Sequence, residues 1–193
     1  MTALVIQDMQ NDAVGRDGAF GTSGAADYCE RHGVVENIAG LAAAFRAAGQ
    51  PVIHVWYVVE EGAPELRQNA PLFESVRAAG ANVRGSWGAA PVAGLEPGPG
   101  DYVVEKLRMN AFHDTRLEAL LRGLDVDALV VTGAWTNMSV EHTARHAADA
   151  GYRVAVASDG TATMSEEWQH AALGYALTQV ATIATCAELA ARL

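Results

Sequence analysis

The sequence predicts an α/β fold, a three-layer, doubly wound sheet of six mainly parallel strands with helices on both faces. Short apolar runs recur along the chain without strict alternation, which is typical of strands buried on both faces of a parallel sheet. Longer stretches with apolar residues at helical spacing separate these runs, and this repetition indicates βαβ units. A chain of 193 residues can bury a substantial core, and we expect one domain spanning residues 1–193.

The strand candidates are short and rich in β-branched or apolar residues. In chain order they are Ala3–Gln7, Val52–Tyr57, Tyr102–Val104, Ala128–Thr132, Arg153–Ala157 and Val180–Ile183. In open α/β sheets, ligands bind at the carboxyl ends of the strands, near the point where the strand order reverses. Polar residues that directly follow a strand candidate are therefore the first candidates for a functional site.

The helices are predicted from spacing and from their end signals. Apolar spacing predicts a helix over Val34–Ala48, which stops at Gly49, a residue suited to the position after a helix. The capping-box sequence Thr115–Glu118 predicts the start of a helix that runs to Arg122. The remaining helices are predicted over Asn137–Ala150, from the capping Ser165 to about Leu177, and over Cys186–Leu193.

The segment from residue 60 to residue 100 breaks this pattern. It lacks a clean period, and it is rich in proline and glycine. Long irregular segments in compact domains are often functional lids or binding loops. We therefore expect an irregular loop of that kind here.

The charge balance excludes several classes of partner. The chain carries 23 acidic and 13 basic residues, a formal net charge of −10. Binding to nucleic acid or to an anionic membrane surface needs a basic surface, so neither is expected. The N-terminus lacks the features of a signal peptide, and no apolar run reaches the roughly 20 residues of a membrane-spanning helix. Cys29 and Cys186 form neither a disulfide framework nor a metal-ligand spacing, so we expect a cytoplasmic protein.

Lys106 is the only lysine of the chain, beside twelve arginines. It follows the strand candidate Tyr102–Val104, with Glu105 between them. An ammonium is a compact point charge whose pKa shifts when it is buried, unlike that of a guanidinium. We therefore interpret Lys106 as an active-site group that polarises or grips an anion, rather than as a surface residue.

Asp8 and Ser139 follow two other strand candidates. A carboxylate directly after a buried strand loses hydration unless a partner meets it, and Lys106 can be that partner. The alternative for Asp8 is a turn or helix cap, the role that we assign to Asp12. Ser139 lies near the start of a predicted helix, where free N–H groups and the helix dipole favour a nucleophile or an oxyanion. Serine is also a common helix-start residue.

Four blocks of sequence surround these residues. They are Ala3–Asp12; Gly85–Gly88 with Pro97–Asp101 and Val104–Lys106; Asn110–Phe112 with Thr115 and Leu117; and Val131–Glu141 with Thr143–Arg145 and Ala150–Tyr152. In these blocks, and in their order, the chain resembles the isochorismatase-like hydrolases. This group, also called the cysteine hydrolase superfamily, includes nicotinamidases and N-carbamoylsarcosine amidohydrolases. The resemblance covers nearly the whole chain.

The resemblance implies roles for residues as well as a fold. It implies a six-stranded parallel sheet and assembly as a homodimer or homotetramer. Asp8 is implied as the acid/base, Lys106 as its ionic partner, and position 139 as the position of the nucleophile. A cis peptide bond is implied between Ala134 and Trp135, where it helps to aim N–H groups at an oxyanion. Trp135 and Ser139 are therefore the expected oxyanion site.

The chain departs from the family's amidohydrolases at position 139, where they have cysteine and this chain has Ser139. The pKa of a thiol is readily lowered, so a thiolate forms easily. A hydroxyl instead needs a strong adjacent base, and His142 is a weak candidate for that base. Three interpretations stay open. Ser139 is an engineered replacement that traps substrate, or it serves C–N hydrolysis as nucleophile or oxyanion donor, or Asp8 with Lys106 protonates a vinyl ether such as isochorismate. A member without catalysis, acting as a binding or scaffold subunit, is a further alternative.

Neither a metal nor a cofactor is expected. The nicotinamidase branch of the family binds a divalent ion through an aspartate and histidines just after the second strand. Here that stretch is His54–Glu61, which contains no such cluster. His54 itself falls within a strand candidate, so we interpret it as a core or sheet-face residue.

The substrate pocket is expected to have aromatic walls and a few polar groups, as is usual for sites that bind small molecules. We assign substrate binding to Trp135, Trp87 and Phe112, with Arg108 able to grip a substrate carboxylate through a bidentate fork. Further candidates are Tyr57, Trp168 and Arg84. The expected substrate is a small amide, ureido or related C–N compound.

Overall fold

The structure is a computed structural model that describes residues 1–193, and its centre is a six-stranded sheet. The strands are β1 Thr2–Gln7, β2 Val52–Tyr57, β3 Tyr102–Lys106, β4 Ala128–Ala134, β5 Arg153–Ala162 and β6 Thr182–Ala184. Their order is β3-β2-β1-β4-β5-β6, and every neighbouring pair is parallel. The predicted fold class is confirmed. The strand order reverses between β1 and β4.

Eight α-helices connect the strands. They are α1 Asn11–Val14, α2 Ala25–His32, α3 Val34–Ala47, α4 Pro71–Ala79, α5 Leu117–Gly123, α6 Glu141–Asp149, α7 Glu166–Ala171 and α8 Cys186–Ala190. A π-helical turn, Thr136–Val140, precedes α6, and a second one, Ala172–Ala176, follows α7. None of these helices combines the length and the apolar character needed to cross a membrane.

Alternate residues of β1 supply the cores on the two faces of the sheet. Leu4 and Ile6 belong to a buried layer that includes side chains of α2, α3 and α8. Ala3 and Val5 belong to the opposite layer, which includes side chains of α5 and α6. Burying a large aliphatic side chain contributes about 1.5–3 kcal/mol. The period-2 alternation of the strand thus holds both helical layers against one sheet.

Most helix boundaries agree with the prediction. Gly49 follows α3 with φ +65°, and the Ser165 hydroxyl caps α7 by accepting the Trp168 N–H. The prediction of a capping box at Thr115–Glu118 is wrong. The Thr115 hydroxyl instead accepts the Leu117 N–H and donates to the Ala111 carbonyl, so α5 begins one residue later, at Leu117, without a side-chain cap.

The segment from residue 60 to residue 100 is more regular than predicted, because it contains α4. This helix begins with Pro71 and ends at Gly80, both of which are standard end signals. Val76 on its inner face joins a small third core with Tyr57 and Leu66. The segment therefore packs as a layer over the carboxyl ends of β2 and β3.

Gly133 allows the end of β4 to approach the end of β1. Its φ is +105°, and a Cβ atom there would lie 2.0 Å from the carbonyl oxygen of Gln7. The register of β4 against β5 shifts between Val131 and Gly133. This close approach brings the turn that follows β4 against the residue that follows β1, at the point where the strand order reverses.

Candidate active site

Asp8 leaves the end of β1 in an unusual backbone conformation. Its φ is +50°, a left-handed value that aspartate tolerates better than most residues. Its N–H donates to the Val55 carbonyl at 2.9 Å, which extends the pairing with β2 by one residue. The residue is buried, with 6% of its surface exposed. Of the five non-glycine residues with a positive φ, Asp8 is the one that directly follows a buried strand.

Asp8, Lys106 and Ser139 meet in the structure, as predicted from their strand-end positions. The Nζ of Lys106 lies 2.8 Å from Asp8 Oδ2 and 3.1 Å from Ser139 Oγ. It also donates to the carbonyl of Arg108 at 3.0 Å, so all three N–H bonds of the ammonium have acceptors. Ser139 Oγ donates to Asp8 Oδ2 at 2.5 Å. The three side chains form one closed hydrogen-bonded ring.

Burial shifts the pKa values of both charged members of this ring. It raises the pKa of the Asp8 carboxyl, and the opposing charge of Lys106 does not cancel the shift. It lowers the pKa of the Lys106 ammonium, against the opposing charge of Asp8. Both shifts favour the neutral forms, so a proton moves between these groups at a lower free-energy cost than in water. Perturbed pairs of this kind are typical of functional sites.

Ser139 is positioned by the π-helical turn and by two glutamine contacts that the sequence did not indicate. Gln7 Nε2 donates to the Ser139 carbonyl at 3.2 Å, and Gln7 Oε1 accepts the Thr143 hydroxyl at 3.0 Å. The Ala134–Trp135 peptide bond is cis, as the family resemblance implied. The backbone N–H of Trp135 donates to no protein acceptor.

A small cavity of about 40 Å³ opens onto Asp8 and Ser139, two members of the ring. Its wall is mainly apolar and is formed by Asp8, Ala13, Phe20, Tyr57, Leu72, Val76, Asn82, Met109, Ala134, Trp135, Met138 and Ser139. Phe20 and Trp135 pack edge to face, with ring centroids 5.5 Å apart. The Trp135 indole donates to the Ala13 carbonyl at 3.1 Å, which fixes the orientation of this wall.

Three of the four residues that are expected to bind substrate do not line this cavity. Trp87 is 58% exposed and does not line the cavity. Phe112 is buried in the core under α6, where it stacks on His146 at 4.6 Å. The Arg108 guanidinium donates to Arg67 and Asn69. Of the four residues, only Trp135 lines the cavity. Of the further candidates, Tyr57 also lines it.

Asn82, which no sequence pattern indicated, completes the wall. Asp12 holds it in place, because Asp12 Oδ2 accepts the Asn82 N–H at 2.7 Å and Asp12 Oδ1 accepts the Ala19 N–H at 2.9 Å. A Cβ atom at Gly88 would lie 2.0 Å from Asp12 Oδ2, so glycine is required beside this carboxylate. Asp12 therefore has the structural role predicted for it, and it joins the loops on two sides of the cavity.

Histidines take no part in the ring. His54 is buried in β2, and its Nε2 lies 3.1 Å from Asp101 Oδ2, so it is the core residue that the sequence predicted. His142 is exposed on α6 and contacts the Met138 carbonyl. No group of three or more His, Cys, Asp or Glu side chains is arranged to hold a metal ion.

Comparisons with known proteins identify relatives of this chain. The Isochorismatase domain model matches residues 2–188. Ureidoacrylate amidohydrolase RutB of Methylobacterium radiotolerans is 35% identical over 185 residues, which cover 89% of this chain and 70% of that protein. An isochorismatase family protein from Desulfovibrio vulgaris has a TM-score of 0.85 at 31% identity, over 97% of this chain and 95% of that one. N-carbamoylsarcosine amidase from Thermoplasma acidophilum has a TM-score of 0.74 at 28% identity, over 96% of each chain.

Proposed function

The chain belongs to the isochorismatase family and is a hydrolase, and we propose that it hydrolyses a C–N bond in a small amide or ureido compound. In this proposal Asp8, Lys106 and Ser139 carry the reaction. The observation that carries it is their hydrogen-bonded ring, of which Asp8 and Ser139 line a mainly apolar cavity and Lys106 lies behind them. The relatives named for amidohydrolase and amidase activity support the choice of a C–N bond.

The first half of the reaction forms a covalent intermediate. Asp8 takes the proton of Ser139 Oγ, to which it is already hydrogen-bonded, while Oγ attacks the carbonyl carbon of the substrate. The Lys106 ammonium, 3.1 Å from Oγ, stabilises the negative charge that develops there. The backbone N–H groups of Trp135 and Ser139 are the proposed donors to the oxyanion.

The second half releases the two products. Protonated Asp8 gives its proton to the leaving nitrogen, the C–N bond breaks, and an acyl or carbamoyl ester remains on Ser139. Water then attacks the ester carbonyl while Asp8 accepts its proton, and that proton returns to Ser139 Oγ as the ester bond breaks. Over the cycle one water is consumed, and one amine and one acid are formed.

The burial of Asp8 makes its carboxylate a stronger base, which a serine nucleophile needs. Burial raises the pKa of Asp8, and a carboxylate with a raised pKa takes a proton more readily than one in water. The adjacent Lys106 ammonium favours the alkoxide of Ser139 over the hydroxyl. Serine at position 139 is therefore compatible with nucleophilic catalysis, and Asp8 needs no histidine to assist it.

Acid-driven hydrolysis of a vinyl ether is the second candidate function. The raised pKa of Asp8, which follows from its burial, and the free Oδ1 atom are the properties of a proton donor. Isochorismate, however, carries carboxylates, and no arginine, lysine or histidine is among the residues that line the cavity. The C–N reaction is the better fit for a wall of this composition.

Mass spectrometry of the protein and of Ser139→Cys, each incubated with small amides, ureas and isochorismate, tests the proposal. The expected result is an acyl or carbamoyl adduct on residue 139, with release of the amine. Ser75→Cys is the matched control, because its thiol is exposed on α4 and reports non-specific modification. Isochorismate turnover without an adduct would support the vinyl-ether reaction instead. A complete lack of adducts and products would support a binding or scaffold role.

A further inference from the structure

Only three buried side-chain oxygen or nitrogen atoms in the chain lack a hydrogen-bond partner. They are Asp8 Oδ1, Tyr57 Oη and Asn82 Oδ1. All three residues line the cavity beside Ser139. Folded proteins pair nearly all of their buried polar atoms, so each exception calls for an explanation. Three exceptions on one wall indicate a surface that is built to hydrogen-bond a ligand.

The backbone around these atoms is held by specific contacts. Gln10 Oε1 accepts the Tyr57 N–H at 2.8 Å, and Gln10 Nε2 donates to the Tyr57 carbonyl at 2.9 Å. The Asn82 N–H donates to Asp12, and its carbonyl accepts the Val59 N–H at 3.0 Å. Asn82 adopts φ +57°, a value that asparagine tolerates. Both side chains are therefore presented by a pre-organised frame, each less than 6% exposed.

The same wall lacks a positive charge for a substrate carboxylate. No basic residue lines the cavity. The three N–H bonds of the Lys106 ammonium donate to Asp8, Ser139 and the Arg108 carbonyl. The Arg108 guanidinium bonds elsewhere and lies over the ring of Phe73, 4.3 Å from its centroid. A carboxylate in the cavity would lose its hydration without gaining a cation.

We propose that Tyr57 and Asn82 form a polar subsite for the N–H-bearing end of a small, uncharged amide or urea. Asn82 Oδ1 accepts a substrate N–H, and the Tyr57 hydroxyl provides a second hydrogen bond. Asp8 Oδ1 faces the leaving nitrogen, and the apolar wall holds a short hydrocarbon substituent. This inference rests on the proposed C–N hydrolysis. It also separates this chain from a relative named for ureidoacrylate, which is a carboxylate.

Matched substrate pairs test the charge requirement. Butanamide is compared with succinamate, and propylurea with 3-ureidopropanoate, because each pair differs by a carboxylate at the far end. We expect kcat/KM to be higher for the uncharged member by at least roughly tenfold, because a buried unpaired charge is disfavoured. Equal or better hydrolysis of the carboxylates would overturn the inference and leave the proposed C–N hydrolysis intact.

Two variants test the subsite itself. Asn82→Gly removes the carboxamide without a backbone conflict, because glycine accepts φ +57°. Tyr57→Phe removes only the hydroxyl. We expect each to lower kcat/KM for butanamide by roughly 10-fold or more. The matched controls are Asp125→Gly, which has φ +51° on the surface, and Tyr175→Phe, which is 71% exposed, and both are expected to keep full activity.

A binding measurement separates the failure of this inference from the failure of the proposed reaction. Titration calorimetry of butanamide into Ser139→Ala does not depend on turnover. Binding that is lost in Ser139→Ala/Asn82→Gly supports the subsite even if no substrate is hydrolysed. The subsite would be overturned if butanamide bound equally well with and without the Asn82 carboxamide and the Tyr57 hydroxyl. This conclusion would hold whether or not amides are hydrolysed.

Discussion

Two buried aspartates lie at opposite ends of the same sheet, and both have basic partners. Asp8 directly follows β1, at the carboxyl ends of the strands, and Asp101 directly precedes β3, at their amino ends. Asp8 contacts Lys106, and Asp101 contacts Arg46 and His54. Their burial is similar, with side chains 8% and 3% exposed. Burial beside a basic partner therefore does not distinguish them.

Hydrogen bonding does distinguish the two carboxylates. Arg46 Nε donates to Asp101 Oδ1 at 3.1 Å, while Oδ2 accepts Arg46 Nη2 at 2.6 Å and the Gly98 N–H at 2.8 Å, with His54 Nε2 at 3.1 Å. Both oxygens of Asp101 are satisfied. In Asp8 both side-chain donors contact Oδ2, and Oδ1 has no partner. One carboxylate is complete within the protein, whereas the other has capacity left for a substrate.

The pKa values of the two carboxyl groups are shifted in opposite directions. Burial alone would raise the pKa of Asp101, but hydrogen bonds from Arg46, the Gly98 N–H and His54 outweigh it, so the pKa is lowered. For Asp8, burial outweighs the opposing effect of Lys106 and Ser139, so the pKa is raised. A satisfied carboxylate stabilises the fold, and an unsatisfied one is held ready for chemistry.

The largest expected effect comes from replacing each aspartate by asparagine. Asp8→Asn removes the proposed acid/base, so we expect kcat to fall by roughly 10³-fold or more while the protein stays folded. Asp101→Asn should leave kcat within about twofold and lower the free energy of unfolding by about 2 kcal/mol, because hydrogen bonds to a buried charge are lost. Steady-state kinetics and urea unfolding of both variants measure the two effects.

The two variants serve as controls for each other, because each changes one buried carboxylate to an amide of the same shape. Activity that survives Asp8→Asn would show that the assignment of the acid/base is wrong. A loss of activity in Asp101→Asn without a loss of stability would show that the two ends of the sheet are coupled. That result would contradict the purely structural role of Asp101.

The next effect concerns the basic partners. Lys106 has a fully buried side chain, so Lys106→Met leaves the Asp8 carboxylate uncompensated, and we expect a loss of about 3 kcal/mol in unfolding free energy. The side chain of Arg46 is 37% exposed, so solvent screens the loss of its charge and Arg46→Met should cost only about 1 kcal/mol. Urea unfolding at neutral pH measures both.

The order of these two losses is the test. An equal loss in the two variants would mean that water reaches Asp8 and that its ring is not the desolvated site described above. Asp8→Asn/Lys106→Met is the matched control, because it removes both charges and should recover part of the stability lost in the single Lys106 variant.

The ring of Asp8, Lys106 and Ser139 could be predicted from sequence because its members are placed by local patterns. Each lies at or after the end of a recognisable strand, and parallel strands bring their carboxyl ends to one edge. The family resemblance implies the position proposed for the nucleophile and the cis peptide bond at Trp135. Periodicity alone would have left Ser139 as a helix-start residue.

The cavity wall could not be predicted in the same way, because it is assembled from distant loops. Asn82 faces the cavity through its contact with Asp12, 70 residues away in the chain, and no local pattern signals that contact. Trp87 and Phe112 were chosen for their aromatic character, which does not determine the direction of a side chain. The one available signal is the closely spaced set of polar residues after β1, because buried glutamines such as Gln7 and Gln10 need specific partners.

The smallest expected effect is a difference in how acid destabilises the protein. Stability rises with pH wherever the unfolded chain binds more protons than the folded one. Burial would raise the pKa of Asp101, but its hydrogen bonds outweigh burial and lower it. The contribution of Asp101 to stability is therefore present above the unfolded pKa of 3.8 and is lost as pH falls through the folded pKa. Burial also lowers the pKa of His54, so stability begins to fall below the unfolded value of 6.5.

Asp8 works in the opposite direction. Burial raises its pKa, so the folded protein binds this proton at a higher pH than the unfolded chain, and acid favours the folded state at this one group. Over the range from pH 7 to pH 2, we therefore expect Asp8→Asn to lose more stability than the unaltered protein above pH 4, and Asp101→Asn to lose less below pH 4, with differences of about 1 kcal/mol. Urea midpoints across this range measure both. The reverse order would mean that the Lys106 charge, and not burial, controls Asp8, and its Oδ1 would then be a structural acceptor like those of Asp101.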